Sequence, residues 1–251
     1  MTRIQCTELD SGFSVPLYHV GPPLDRGPLP SIFYFSLSGH DSLTKDPFNQ
    51  PVQFLSDRWI RFFSLTLPAH ENGLDPHKAI QVWAEDISKG IDCLNTFFDQ
   101  ALSAIEFSVR QKLADPQKLA LAGLSRGGFI ASHIAARDER FRYILQFAPL
   151  TDLSKTKEFA SLTEHPIVQS LALNKLAPQI ADRHIRLYIG NKDTRVGTGA
   201  CFDFASQLTA ASTLRSPHIE FIMSSSIGLM GHGTSPEIFR QGALWLASCL
   251  T

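Results

Sequence analysis

Residues 123–127, Gly-Leu-Ser-Arg-Gly, match the pattern Gly-x-Ser-x-Gly. A serine in this pattern lies at a sharp turn from a strand into a helix, with its hydroxyl exposed above the sheet. The residues two before and two after the serine crowd each other, which is why both are glycines. An apolar stretch at 119–122 precedes the pattern and predicts a strand, and a helical pattern follows it. We therefore predict that Ser125 is a nucleophile; the alternative is a glycine-rich turn with a structural serine.

The segment 115–128, from Asp115-Pro116 to Gly127-Gly128, resembles the elbow region of α/β-hydrolases. It is most similar to the branch that contains prolyl-oligopeptidase-like enzymes and dienelactone-hydrolase-like esterases. The resemblance is strongest over 115–137 and continues in the right order to His232, covering a catalytic domain only. It implies that an acid and then a histidine follow the serine along the chain.

A serine hydroxyl needs a base, and the base needs an acid that fixes its tautomer. Five aspartates downstream of Ser125 could be this acid: Asp138, Asp152, Asp182, Asp193 and Asp203. Asp193 lies just past the predicted strand 184–189, and Gly190, Asp193 and Val196 match the Gly-x-x-Asp-x-x-Val spacing of the resembling family. We expect Asp193 to be the acid, although a turn aspartate can also simply cap a loop. Asp152 is the runner-up, in a Pro-x-x-Asp stretch that is usually a helix cap.

Five histidines follow the serine: His133, His165, His184, His218 and His232. His232 lies between two glycines, in a loop after the predicted strand 218–223 and before the last predicted helix. The resembling family has its base at this place, so we expect His232 to be the base. His133 falls on the helix behind the elbow and is expected to be a packing residue.

An oxyanion hole needs two N–H donors. The backbone of Arg126 should supply one, and the loop after the predicted strand 31–37 should supply the other. Here the resembling family has His-Gly followed by the donor, whereas this chain has Ser38-Gly39-His40. Aligning the glycines makes the backbone of His40 the donor, while Gly39 and Asp41 stay open and an ordinary loop is the alternative.

The side chain of Arg126 places a positive charge beside the nucleophile. It could bind an anionic group of a substrate, or it could form a salt bridge on its own helix. The second role is the commoner one for a helical arginine.

The remaining elements follow from hydrophobic periodicity and breakers. Predicted strands are 13–20, 31–37, 59–67, 118–122, 143–148, 184–189 and 218–223; predicted helices are 129–137, 203–214 and 236–250. The stretch 78–113 is helical, as one helix or two, and Asp115-Pro116 is expected to end it. This alternation predicts one α/β domain over 1–251, an α/β-hydrolase fold with a doubly wound, mostly parallel sheet, helices on both faces and a small cap or insertion at 151–183.

Composition excludes several other classes. Lys and Arg number 23 against 24 Asp and Glu and form no stripe, so no nucleic-acid partner is expected. The cysteines have no ligand-like spacing, which argues against a metal site and for reduced thiols in a cytoplasmic protein; they are Cys6, Cys93, Cys201 and Cys249. The first residues lack the apolar run of a signal peptide, and no 18-residue apolar stretch could span a membrane.

The leading hypothesis is a cytoplasmic serine hydrolase that cleaves a carboxylic ester of a small acyl substrate without a metal or organic cofactor. A peptidase acting on short peptides is the alternative that the resemblance allows. Acyl transfer to an alcohol or amine is also open. A binding protein with a degraded site would be the non-enzyme reading, and the presence of all three triad residue types in order argues against it.

Overall fold

The computed structural model describes residues 5–10, 12, 15–71 and 74–251. Their strands form one eight-stranded sheet in the order β1-β2-β4-β3-β5-β6-β7-β8. The strands are β1 (Thr7–Leu9), β2 (Leu17–Val20), β3 (Leu29–Phe35), β4 (Arg61–Leu65), β5 (Ala114–Leu124), β6 (Tyr143–Phe147), β7 (His184–Gly190) and β8 (Ile219–Ser224). From β4 to β8 every neighbouring pair is parallel, whereas β1 and β2 are antiparallel at one edge. The predicted mostly parallel sheet of an α/β fold is therefore confirmed.

Helices cover both faces of this sheet. They are α1 (Gly39–Thr44), α2 (Gln50–Phe54), α3 (Ala79–Ser88), α4 (Cys93–Arg110), α5 (Arg126–Arg137), α6 (Pro166–Ser170), α7 (Ala177–Ile180), α8 (Thr198–Ala211) and α9 (Pro236–Leu250). The buried side chains of α3 to α8 belong to one hydrophobic cluster, and those of α1, α2 and α9 belong to a second. The two clusters lie on opposite faces of the sheet.

Strand β3 shows why an almost continuously apolar stretch was required. Phe33 and Phe35 are fully buried in the first cluster, and Ile32 and Tyr34 are fully buried in the second. Successive side chains of a strand point to opposite faces, so a strand covered on both sides needs an apolar residue at each position.

The helical stretch 78–113 is two helices. It breaks after α3 at Gly90, whose φ is 79°, a conformation that glycine adopts without steric cost. The second helix, α4, ends at Arg110, before Asp115-Pro116. The expectation that Asp115-Pro116 ends the helix was wrong, since both residues lie in β5. Between the pairs Leu29–Ala114 and Ser31–Leu119 the register of β5 shifts, and proline is tolerated at such an irregularity.

Most other elements differ from their predicted bounds by a few residues. Helix α8 begins at Thr198, five residues before the predicted start at Asp203. The predicted strand 13–20 is observed as β2 from Leu17, while Phe13 and Ser14 lie outside the described residues. The segment 151–183, predicted to be a cap or insertion, consists of short 3-10 turns together with α6 and α7.

A buried arginine joins loops at the end of the sheet where the parallel strands begin. Arg61, the first residue of β4, is fully buried. Its guanidinium donates to the carbonyl oxygens of Pro22, Pro23, Gly27 and Leu113, so that it ties two separate loops together. The carbonyl oxygens of Pro22 and Gly27 would otherwise need another donor.

The four cysteines form no disulfide bonds. All are unpaired, and Cys201 is buried.

Among the described residues no helix has both the length and the apolar character needed to cross a membrane.

Candidate active site

Ser125 lies between β5 and α5 with φ of 57° and ψ of −117°. This left-handed conformation is uncommon for a residue with a side chain, and it persists only where surrounding contacts fix it. The backbone N–H of Ser125 donates to the oxygen of Phe147 at 2.8 Å, and its carbonyl oxygen accepts from Gly128 and Leu150, each at 3.0 Å. These bonds hold the serine at the tip of the turn.

The two glycines of the pattern are required by close backbone contacts. A Cβ atom on Gly123 would lie 2.2 Å from the carbonyl carbon and oxygen of Gly127. One on Gly127 would lie 1.8 Å from the carbonyl oxygen of Phe35, the last residue of β3. No side chain fits at either distance, so the elbow is pressed against the neighbouring strand. This contact brings the loop after β3 next to Ser125.

The structure brings Ser125, His232 and Asp193 together, although 107 residues separate Ser125 from His232. The Nε2 atom of His232 is 2.8 Å from the Oγ atom of Ser125. Its Nδ1 atom is 2.6 Å from the Oδ2 atom of Asp193. All three residues follow the carboxyl ends of parallel strands, because Ser125 follows β5, Asp193 follows β7 and His232 follows β8. This edge of an open α/β sheet is where ligands bind.

The Asp193 carboxylate is completely buried. Its Oδ1 atom accepts from the backbone N–H groups of Arg195 at 2.9 Å and Val196 at 3.1 Å. Its own backbone N–H donates to the Oγ1 atom of Thr198 at 3.0 Å. The charge is therefore satisfied by three donors, two from the backbone and one from the His232 ring, and the carboxylate has a fixed orientation.

The loops that carry Asp193 and His232 are packed directly on each other. The N–H and the hydroxyl of Thr194 both donate to the carbonyl oxygen of Met230, at 2.9 and 3.1 Å. A Cβ atom on Gly231 would lie 2.2 Å from the carbonyl oxygen of Lys192, so only glycine fits before His232. The contact explains the glycine on the N-terminal side of His232 and holds the loops of Asp193 and His232 together.

The loop after β3 turns directly into α1. The N–H of Gly39 donates to the Oγ1 atom of Thr66, and the N–H of Asp41 donates to the Oγ atom of Ser38, each at 3.0 Å. Within the described part of the chain no hydrogen bond uses the N–H of His40. Of the three residues left open for the second oxyanion donor, His40 is thus the one whose N–H is unoccupied.

The side chain of Arg126 does not turn toward its own helix. Its Nη1 atom donates to the carbonyl oxygen of Pro76 at 2.6 Å and to the Nε2 atom of His70 at 3.1 Å. Burial, together with the nearby charge of Arg126, lowers the pKa of His70 to about 4, so this ring is neutral at pH 7. Its Nδ1–H donates to the carbonyl oxygen of Pro68 at 2.9 Å, which leaves Nε2 as the acceptor for Arg126.

An ion pair joins the 151–183 segment to the loop that carries Asp193. Arg195, two residues after Asp193, binds both carboxylate oxygens of Glu158, each at 3.0 Å. Neither Glu158 nor His70 was identified from the sequence. Each lies in a segment without a recognisable motif, so no local signal could have found it.

The other residues weighed from the sequence have different partners. Asp152 accepts from the N–H and hydroxyl of Ser154 and caps a 3-10 turn. Asp138 pairs with Arg140. Asp182 accepts from residues that follow α8. His133 is buried and stacks on Phe98, as expected for a packing residue.

A cleft of about 430 Å³ borders the loop after β3. Its lining includes His40, His70 and Pro76 together with the acidic side chains Glu8, Asp41 and Glu71. Within the described residues no group of three or more His, Cys, Asp or Glu side chains is arranged to hold a metal ion.

Comparison with solved structures shows the same fold in several proteins. TT1662 from Thermus thermophilus superposes with a TM-score of 0.75 at 19% identity, covering 99% of both chains. An acylaminoacyl peptidase from Pyrococcus horikoshii has a TM-score of 0.68 at 14% identity, covering 98% of this chain and 41% of its own. Prolyl oligopeptidase B from Galerina marginata has a TM-score of 0.70 at 17% identity, covering 99% of this chain and 37% of its own. This chain thus spans about two fifths of the length of these two peptidases.

At these identities the likeness to solved structures is one of fold, that of the α/β-hydrolase superfamily. A search among curated proteins found no match. The prolyl oligopeptidase family of peptidases matches residues 83–250, a span that contains Ser125, Asp193 and His232. On this match the chain belongs to the prolyl oligopeptidase family of serine hydrolases.

Proposed function

We propose that this protein hydrolyses peptide bonds of short peptides. Ser125 is the nucleophile, His232 is the general base, and Asp193 is the acid that orients His232. The observation that carries the proposal is the continuous hydrogen-bonded chain from Ser125 Oγ through the His232 ring to the Asp193 carboxylate. Both contacts are within the distance that proton transfer requires.

In the proposed reaction the Oγ atom of Ser125 attacks the carbonyl carbon of the substrate while Nε2 of His232 takes its proton. The N–H groups of Arg126 and His40 bind the oxygen that becomes negatively charged. When the bond breaks, His232 gives the proton to the leaving group and an acyl-enzyme remains. Water, activated by the same histidine, then releases the acid product and restores Ser125.

The buried carboxylate of Asp193 has a defined task in this scheme. It keeps the proton of neutral His232 on Nδ1, so that Nε2 is free to accept the serine proton. It also stabilises the imidazolium that forms. Because the carboxylate is fixed by two backbone N–H groups, it does not have to reorient during the reaction.

Membership in a peptidase family supports a peptide as substrate. The sequence alone favoured a carboxylic ester, and ester cleavage stays a prediction, as do acyl transfer and a cytoplasmic location. Kinetics with aminoacyl 4-nitroanilides and short-chain 4-nitrophenyl esters would compare the rates of amide cleavage and ester cleavage. Cleavage of esters but of no anilide would return the assignment to an esterase.

Labelling with a fluorophosphonate probe tests the nucleophile directly. We expect the wild-type protein to be labelled and Ser125→Ala to remain unlabelled. Ser170→Ala is the matched control, because the Ser170 hydroxyl is exposed and bonds only to its own helix; it should label like the wild type. An unlabelled wild type that is folded would instead support a binding protein with an inactive site.

A further inference from the structure

The guanidinium of Arg126 is a cation beside the proposed nucleophile that has no carboxylate partner within the described chain. The helical positions that could pair with it, three and four residues on, are Phe129 and Ile130, which are buried and apolar. A salt bridge on its own helix, the commoner role for such an arginine, is therefore ruled out. Its bonds go instead to a carbonyl oxygen and to a neutral imidazole.

These two bonds use the N–H groups of Nη1 and fix the plane of the guanidinium. A guanidinium has five N–H groups, so those of Nε and Nη2 remain. No hydrogen bond among the described residues uses them, and neither nitrogen is among the buried polar atoms that lack a partner. Each nitrogen therefore keeps some solvent-accessible surface, while the guanidinium as a whole is largely buried. Nε and Nη2 form one edge of the guanidinium, with the geometry to bind both oxygens of a carboxylate.

Arg126 keeps its positive charge without an ion-pair partner among the described residues. Arg195 lies near enough to act on Arg126, and burial together with Arg195 lowers the pKa of Arg126 to about 10, so it is still charged at pH 7. Glu158, the carboxylate that acts on Arg126, is held by both its oxygens on Arg195. His70 is neutral. A carboxylate bound at Nε and Nη2 would give Arg126 the ion-pair partner that it lacks.

We propose that Arg126 is a specificity-determining residue that selects substrates whose acyl group carries a carboxylate close to the scissile carbonyl, as in an acidic residue on the acyl side of the bond. The inference rests on the proposed function, because the carboxylate is positioned only if the acyl carbon sits at Ser125. The guanidinium would bind the carboxylate side-on through Nε and Nη2. The backbone N–H of the same residue would bind the oxyanion.

The test compares two esters of the same size, the α-(4-nitrophenyl) esters of N-acetylglutamate and N-acetylglutamine. Both are activated, so a working triad should cleave either whether the natural bond is an ester or an amide. We expect wild-type kcat/KM to be about 10- to 100-fold higher for the glutamyl ester. This ratio corresponds to the free energy of a charge-assisted hydrogen bond. In Arg126→Met, which keeps the backbone N–H and much of the stem, this preference should disappear.

A purely structural role for Arg126 gives a different result. If the arginine only braces the loop of His70 and Pro76, the substitution lowers cleavage of both esters equally and their ratio is unchanged. Arg126→Lys is a second variant in case the methionine variant does not fold; it keeps a charge but loses side-on binding, so the ratio should fall without vanishing.

The possible outcomes separate this inference from the proposed function. A wild type that cleaves the glutaminyl ester as well as the glutamyl ester, or that accepts neither while Ser125 is still labelled, overturns the inference and leaves a serine hydrolase. A preference that survives in both variants overturns it too and points to another cation such as Arg195. A folded wild type that the fluorophosphonate probe does not label would mean that the proposed function itself is wrong.

Discussion

Replacing Asp193 by asparagine exchanges one carboxylate oxygen for an NH2 group, and the surroundings decide which way that group faces. The Oδ1 atom accepts from the backbone N–H groups of Arg195 and Val196. Only an oxygen can accept there, so the asparagine must turn its NH2 group toward His232. The opposite orientation would leave both N–H groups facing a donor inside a buried site.

The forced orientation reverses the tautomer of His232. An NH2 group donates, so Nδ1 of the histidine must become the unprotonated acceptor. The proton of the neutral ring then lies on Nε2, which is 2.8 Å from the Oγ atom of Ser125 and can no longer accept the serine proton. The same change in a serine protease triad lowers kcat about 10⁴-fold. That factor corresponds to about 5–6 kcal/mol of activation free energy, and we expect a loss of this size here.

The assay is steady-state hydrolysis of 4-nitrophenyl acetate by the wild type, Asp193→Asn and Asp152→Asn, with thermal unfolding by circular dichroism to show that each is folded. Asp152→Asn is the matched control, since it makes the same chemical change at the runner-up acid. Its side chain caps a 3-10 turn through Ser154 and should be dispensable for catalysis. We expect near wild-type kcat from this variant.

Two results would contradict this reasoning. A folded Asp193→Asn protein that keeps more than about a tenth of the wild-type kcat would show that Asp193 does not set the tautomer of the base. Loss of activity in Asp152→Asn, with Asp193→Asn active, would mean that the acid has been assigned to the wrong aspartate.

Four further predictions concern stability and the oxyanion loop. Arg61→Lys should lower the free energy of unfolding in urea by about 2–4 kcal/mol, because one ammonium cannot serve four carbonyl oxygens; a loss below about 1 kcal/mol would contradict the role of Arg61 as a link between loops. Gly127→Ala should cost more than about 3 kcal/mol in the same assay, whereas Gly199→Ala, whose Cβ would meet nothing within 4 Å, should stabilise the protein by about 0.5 kcal/mol; equal effects would refute the close contact at the elbow. Burial, reinforced by Arg137, lowers the pKa of His133 to about 3, so the unfolded chain takes up this proton near pH 6.5 and the folded chain does not. The free energy of unfolding should therefore decrease as the pH is lowered from 6 to 4, by about 1.4 kcal/mol per pH unit more in the wild type than in His133→Gln. Equal pH dependences of the two proteins would contradict this. His40→Ala should keep kcat within about threefold of the wild type, since the proposed donor is the backbone N–H and the side chain is largely exposed; a loss of 100-fold would assign a role to the imidazole.

The elbow was predictable because its determinants are local. Gly123 and Gly127 are close to Ser125 in the chain, and the backbone crowding that demands glycine involves the turn itself and one adjacent strand. The alternation of apolar runs with helical periodicity was enough for the parallel sheet. The choice of Asp193 and His232 depended on the resemblance to α/β-hydrolases, which supplied the chain order and the spacing. The contact of Gly231 with Lys192 now explains the glycine before His232.

Other features depend on neighbours that lie far away in the chain. The helical pattern of 78–113 did not reveal the break at Gly90. The position of a turn between two helices depends on how each helix packs against the rest of the protein. Asp115-Pro116 has the local signature of a helix end, yet it lies in β5, where pairing with β3 decides the conformation. Local propensity is a weak term that tertiary pairing overrides.

The sequence by itself determined the nucleophile turn and the layered α/β architecture, since these follow from glycine spacing and hydrophobic periodicity. The order of the three candidate catalytic residues came from the resemblance to α/β-hydrolases. Only the tertiary structure decided what surrounds them. Arg126 meets His70 across 56 residues, and Arg195 meets Glu158 across 37. Such pairs leave no periodic or local trace, because their geometry exists only after the strands have aligned their carboxyl ends at one edge of the sheet.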